Sequence, residues 1–171
     1  MLESYKKALL GSPKDCQQKE DCFRAGTACK GVGNSRFELV EKNTQKSPTH
    51  IYCIDMDCVW PNPPQGQAKC DYVFIQLPIQ EPIPREAHFY FVELKKATNF
   101  NKAIGQIIQT IDDFKHRFRN CTETPDLPNK QITGIIAGGA SPKSSDIFQK
   151  VVADFKKKYG CQLVKASKYE I

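Results

Sequence analysis

Two stretches decide how this chain reads: CDYVFIQL, residues 70–77, and HFYFVELKK, residues 88–96. Both are rich in β-branched and aromatic residues, which suit a pleated, half-buried surface. Side chains alternate across a strand, so Asp71 shares a face with Val73 and Ile75. By the same rule Glu93 and Lys95 share a face with Phe89 and Phe91. Between the runs lies PIQEPIPREA (78–87), a breaker containing Pro78, Pro82 and Pro84. A hairpin of the two runs sets the start of the first against the end of the second, so Asp71 and Glu93 are expected to be close. Charged groups ending such apolar strands are expensive to desolvate unless they are paired or bound to a metal.

Outward from this pair, the pattern alternates between strand and helix. Upstream, SRFELVEK (35–42) and THIYCIDMDCV (49–59) read as strands, and the turn-rich NTQKSP between them predicts a hairpin. WPNPPQGQ (60–67) is a further breaker. Residues 2–10 read as a short helix. Residues 11–34, with Gly26, Gly31 and Gly33, read as a long connection. GVGN at 31–34 is no phosphate loop, because no strand precedes it and no Lys-Ser/Thr pair follows. Downstream the period changes. In KAIGQIIQTIDDFKHRF, Ile104, Ile107, Ile108, Ile111, Phe114 and Phe118 recur at helical spacing, with Lys102, Gln106, Gln109 and Asp113 opposite. ITGIIAGG (132–139) reads as a buried strand. SDIFQKVVADFKKKYG (145–160) reads as a helix capped by Ser145 or Asp146 and by Gly160. CQLVKASKYEI closes the chain as a last strand. The predicted class is α/β (α+β): a mixed central sheet flanked by helices. One domain is expected over 1–171, with a helix and a cysteine-containing connection in 1–35 and the core in 36–171.

Composition bounds the partners. The 171 residues, 40% hydrophobic and 26% charged, describe a globular chain. No run of eighteen apolar residues is present, which excludes a spanning helix and a membrane role of that kind. MLESYKKALLGSPKD lacks the apolar core of a secretory leader, so a cytoplasmic location is expected. Lys and Arg number 25 against 19 Asp and Glu, and nearly all of the +6 excess falls after residue 98. A basic third of a small domain suits a polyanion.

Eight cysteines invite a disulfide or metal reading. The cytosol keeps thiols reduced, and free thiols are the leading expectation. Cys16, Cys22 and Cys29 with Cys53 or Cys58 form the alternative, a zinc or iron–sulfur site.

Neighbouring carboxylates repel one another, and a hard divalent cation relieves the repulsion. Mg²⁺ takes one or two protein carboxylates and keeps several waters. It lowers the pKa of a bound water and stabilises charge on phosphoryl oxygen. A lysine at the same rim can orient or deprotonate that water. Asp71, Glu93 and Lys95 therefore suit metal-assisted phosphodiester hydrolysis.

Asp71 at a strand start, then Glu93-Leu94-Lys95 ending the next strand, resembles the PD-(D/E)XK nuclease superfamily. Gln106 on the following helix strengthens the likeness, which covers roughly residues 50–160. This E-x-K is the only one in the chain. The resemblance implies an α-β-β-β-α-β restriction-endonuclease-like core and an Mg²⁺ (or Mn²⁺) ion held by Asp71 and Glu93. It also implies Lys95 acting on the water and Gln106 assisting its position. Members often add a first-helix Glu, for which Glu3, Glu38 and Glu41 are candidates. Cys70 stands where many members carry proline.

Other residues rank lower. Asp55 and Asp57 read as outward acids of a solvated strand. His50, His88 and His116 are scattered. Cys70 lacks an activating neighbour for a nucleophile. For the nucleic-acid backbone, Lys115, Arg117 and Arg119 lead. Lys102 joins them, as does Lys143 at the entry to the last helix. The expected partner is nucleic acid, DNA ahead of RNA, with a second copy or a partner protein completing the assembly. The alternative is a catalytically silent module of the same fold that binds nucleic acid or protein.

Overall fold

The computed structural model describes residues 2–11, 19–31, 35–41, 49–62, 68–78, 87–94, 100–122, 124, 126–138 and 146–171. Four helices are described: α1 (Leu2–Leu10), α2 (Met56–Val59), α3 (Phe100–Arg119) and α4 (Asp146–Tyr159). The strands are β1 (Phe23–Ala25), β2 (Ala28–Lys30), β3 (Arg36–Val40), β4 (Thr49–Asp55), β5 (Tyr72–Pro78), β6 (His88–Leu94), β7 (Ile132–Ala137), β8 (Gln162–Lys165) and β9 (Lys168–Glu170). They build a mixed six-stranded sheet in the order β1-β4-β5-β6-β7-β8 and a three-stranded sheet in the order β2-β3-β9. The class is the expected one, a mixed sheet flanked by helices.

The hairpin that decides the fold is present. β5 pairs antiparallel with β6, Val73 opposite Phe91 and Ile75 opposite Phe89. β6, β7 and β8 run parallel, a pairing that needs long crossovers. α3 and α4 supply them.

Each face of the large sheet has its own core. Val73, Ile75, Phe89, Phe91, Ile132, Ile136 and Leu163 pack against α1, α3 and α4. Phe74, Tyr90, Val92, Leu94 and Ile135 pack against Cys29, Phe37 and Leu39 of the small sheet. Phe114 anchors α3, its ring 5.1 Å from Phe91 and 5.7 Å from Trp60. Gly134 admits the helix, since a Cβ there would lie 3.1 Å from both Ile107 Cγ2 and Leu163 Cδ1.

Several sequence expectations are corrected. The connection expected over 11–34 contains a 3-10 turn (Glu20–Cys22) and the strands β1 and β2. β3 does not form a hairpin with β4. It pairs with β2 antiparallel and with β9 in parallel, while β4 pairs with β1 and β5. The final strand splits into β8 and β9. Asp55 ends β4 but its side chain is not left to solvent: its Oδ1 accepts from Asp57 N (3.0 Å) and Cys58 N (3.2 Å), capping α2. Cys22 and Cys58 are disulfide-bonded, with 5.5 Å between their Cα atoms, which corrects the expectation of free thiols at these two positions. Gly160 does close α4 as expected, with φ +65°.

Candidate active site at the ends of the central strands

The site is built on a segment that α3 holds in place. Residues 68–70 lead into β5, and three polar side chains of α3 clasp their backbone. Gln109 Oε1 accepts from Ala68 N, Gln106 Nε2 donates to Lys69 O, and Thr110 Oγ1 accepts from Cys70 N, each at 2.8 Å. Positions 106, 109 and 110 share one helix face by the i, i+3, i+4 rule. The polar side expected of this helix therefore meets a backbone rather than solvent alone. Lys69 secures the segment from the other side, donating to Asp57 Oδ1 (2.7 Å) and to the carbonyls of Met56 (3.0 Å) and Trp60.

Asp71 leaves this clasp at a fixed height. Its Oδ2 accepts from Leu94 N at 2.6 Å, a charge-assisted bond across the mouth of the β5–β6 hairpin. The last register pair is Tyr72 opposite Val92. One step further sets Asp71 opposite Glu93, with both side chains on the helix face. Glu93 is 0% exposed and both its carboxylate oxygens are buried.

The two acids act on a common point. Burial pushes the Cys70 thiol well above its ordinary range, the Thr110 hydroxyl opposes that shift, and the charges of Glu93 and Asp71 add to it. Cys70, held protonated, is no nucleophile. Gln106 turns its Nε2 to Lys69 O, and its Oε1 is buried with no hydrogen-bond partner among the described residues. It thus positions the chain entering Asp71.

Glu93 lies at the carboxyl end of the parallel strands, the end where open α/β sheets bind ligands. The register continues from Glu93 through Ile136 to Lys165. Lys165 thus lies two strands away in the same row and on the same face. Its Nζ stands 5.0 Å from the ring centroid of Phe100, the first residue of α3. Sequence reasoning missed Lys165, because only the β6–β7–β8 register aligns it with Glu93.

The other expected residues divide. Lys95 directly follows β6, and Lys95 and Lys143 both lie outside the described residues. Lys102 is exposed in the first turn of α3, one turn before Gln106. Lys115, Arg117 and Arg119 are on the same helix but at its opposite end. At 1.5 Å per residue they lie about 14–20 Å beyond Gln106. Two of these three make structural contacts. Lys115 donates to Asn129 Oδ1. Arg117 lies 4.6 Å over the Trp60 ring and donates to Leu9 O at 3.0 Å. Arg117 and Arg119 are both exposed, and Lys115 is half-buried.

The extra acids are engaged elsewhere. Glu3 pairs with Lys6 at 2.9 Å, Glu38 with Lys168 at 3.2 Å, and Glu41 accepts from Thr49 Oγ1. Among the described residues no three His, Cys, Asp or Glu converge on a metal position. The alternative cysteine site takes Cys16, Cys22 and Cys29 with Cys53 or Cys58; Cys16 lies outside the described residues, and the other four do not converge. Cys22 and Cys58 are bonded to each other, and Cys22 is in the helix-side core, whereas Cys29 and Cys53 are in the core under the small sheet. A pair of carboxylates suits a hard, oxygen-bound cation such as Mg²⁺, which needs no third acid.

Comparison with known proteins returned no matching family model, no matching curated protein and no matching solved structure.

Proposed function

We propose that this chain is a metal-dependent phosphodiesterase of the PD-(D/E)XK type acting on nucleic acid, DNA ahead of RNA. The observation that carries the reading is that Asp71 and Glu93 stand opposite each other at one end of the central strands, beside the Leu94 N–Asp71 Oδ2 bond. Asp71 and Glu93 would hold the cation, Mg²⁺ or Mn²⁺, which supplies charge neutralisation at phosphoryl oxygen and an acidified water. Leu94 N and the α3 clasp keep the Asp71 carboxylate oriented before substrate arrives. Burial of Glu93 keeps bulk water from screening its charge. Lys95, next after Leu94, takes the role of proton acceptor or cation toward the attacking water. Lys165 supplies positive charge on the same face for a substrate phosphate, with Lys102 at the start of α3. Arg119 remains available for a more distant phosphate.

One observation weighs against the cytoplasmic location expected from the sequence, the Cys22–Cys58 disulfide. Disulfides persist in oxidising compartments and are rare in the cytosol. Cys22–Cys58 therefore argues for an oxidising environment.

The test is cleavage of plasmid, single-stranded DNA and RNA in Mg²⁺, in Mn²⁺ and in EDTA, by the wild type and by Glu93→Ala and Lys95→Ala. Metal-dependent cleavage is expected, lowered at least a hundredfold by each substitution. Cleavage unchanged by both substitutions removes the site. No cleavage by the wild type on any substrate turns the reading to a silent binding module.

A further inference from the structure

Two cross-strand pairs face each other where the small sheet covers the large one. Cys29 of β2 is directly opposite Phe37 of β3. Cys53 of β4 is directly opposite Phe74 of β5. The Phe37 and Phe74 rings meet at 5.7 Å in an edge-to-face contact. The aromatic corners of the two pairs therefore touch, and so do the sulfur corners: the Cys29 and Cys53 side chains share a hydrogen bond. Both thiols are buried, 5% and 8% exposed, in one apolar cluster. Neither belongs to the Cys22–Cys58 bond.

We propose that Cys29 and Cys53 are a disulfide-forming pair. Under the oxidising conditions that sustain Cys22–Cys58, they close a second bridge that links the three-stranded sheet to the six-stranded one. The oxidant is a small disulfide of the glutathione class. One cysteine thiolate attacks a sulfur of that disulfide and expels one small thiol, leaving a mixed disulfide on the protein. The second cysteine thiolate attacks the protein sulfur and expels the other small thiol. Two S–H bonds are lost from the protein and one S–S bond forms. The protein loses two electrons, and the small disulfide becomes two thiols that carry the two protons.

The reaction belongs to folding more than to the finished fold. The thiolate is the reacting species, and the hydrogen bond to Cys53, followed by burial, keeps Cys29 protonated in the native state. Exchange runs before β2 docks or on its local opening. The bridge has a neighbour that matters. β2 runs on to Lys30, whose carbonyl accepts from Tyr72 Oη at 2.7 Å. Gly31 follows, so close to Leu94 that a Cβ on it would lie 2.7 Å from Leu94 Cδ1. A covalent tie at Cys29 fixes this segment beside the Asp71–Leu94 bond.

Bond connectivity is the readout, so the outcome does not depend on nuclease activity. The full chain is reduced in denaturant, refolded in a mixture of reduced and oxidised glutathione, alkylated, and digested without reduction. Trypsin separates Cys22 from Cys29 at Arg24, and cleavage before Asp55 separates Cys53 from Cys58. The expected result is a linked pair of peptides carrying Cys29 and Cys53 in most molecules, beside the Cys22–Cys58 pair. Refolded Cys29→Ser and Cys53→Ser chains keep Cys22–Cys58 and melt several degrees below the oxidised wild type. In the reduced state those differences shrink. Alkylation of both Cys29 and Cys53 in the refolded protein overturns the proposal, as does linkage of either one to another cysteine. A product with neither disulfide overturns it as well.

Discussion

Replacing Glu93 with glutamine removes a buried carboxylate while keeping its size. Glu93 is fully buried, on the same face as Asp71 and in the next strand position opposite it. Opposed side chains in an antiparallel pair stand about 5 Å apart at Cβ. Two unit charges at that distance, with an effective dielectric of about 20, repel by about 3 kcal/mol. A divalent cation removes that cost by binding the folded chain. With a millimolar dissociation constant and 10 mM metal, linkage adds about 1.4 kcal/mol. A chain of this length melts about 2–4 °C higher for each kcal/mol, so the wild type should gain about 3–6 °C from Mg²⁺ or Mn²⁺ over EDTA. Glu93→Gln should start higher, by about 1–3 kcal/mol without metal, because the repulsion is gone. It should then gain nothing from metal. Asp71→Asn should lose the metal response too, and the double variant should fall short of the sum of the singles. Thermal melts in EDTA, Mg²⁺ and Mn²⁺ at constant ionic strength read all of this. Equal metal shifts in wild type and Glu93→Gln would refute the reasoning, and so would a Glu93→Gln chain less stable than wild type in EDTA.

Three further outcomes follow from the same geometry. Arg117→Ala should cost about 1–2 kcal/mol of stability through loss of the Trp60 contact and the Leu9 carbonyl bond, whereas Arg119→Ala should cost almost none; equal melting points for the two would show that neither Arg117 contact stabilises the fold. Lys165→Ala should lower the slope of log affinity for DNA against log salt by about one, and an unchanged slope, measured by titration in EDTA, removes Lys165 from the phosphate site. Burial lowers the pKa of His88 below its ordinary value, so the unfolded chain binds its proton first as pH falls; the neutral-His contribution is fully present above the unfolded pKa, near 6.5, and is lost toward the folded pKa below it. Wild type should therefore lose more melting temperature between pH 7 and pH 5 than His88→Gln, and parallel losses would contradict the assignment.

The sequence made the central hairpin legible because both strands are runs of β-branched and aromatic residues, one with an acid at its start and the other with an acid at its end that the pattern leaves unexplained. α3 and α4 were legible from their apolar stripes, and Gly160 marked the end of α4. Three-residue strands were not. β1 and β2 carry no periodicity of their own and exist through distant partners, Phe23 with Ile54 and Cys29 with Phe37. β3 was recognisable as a strand but not assignable to a sheet. Its buried Phe37 and Leu39 suit either sheet, and its parallel partner β9 lies more than a hundred residues away. Helical spacing separated Gln106 and Gln109 from the core, yet it could not show that they clasp residues 68–70. The same spacing placed Arg117 beside Arg119 and gave no sign that Arg117 is spent on Trp60 and Leu9. Cysteine connectivity is not encoded in spacing, so Cys22–Cys58 needed the fold. Lys165 joined the site only through two successive parallel registers.

The most direct measurement is anomalous diffraction from a crystal soaked in Mn²⁺. One peak is expected at the open end of the β5–β6 pair, within about 2.2 Å of a carboxylate oxygen of both Asp71 and Glu93, and no peak there in Glu93→Gln crystals. Mn²⁺ bound elsewhere while Asp71 and Glu93 stay unliganded would contradict it.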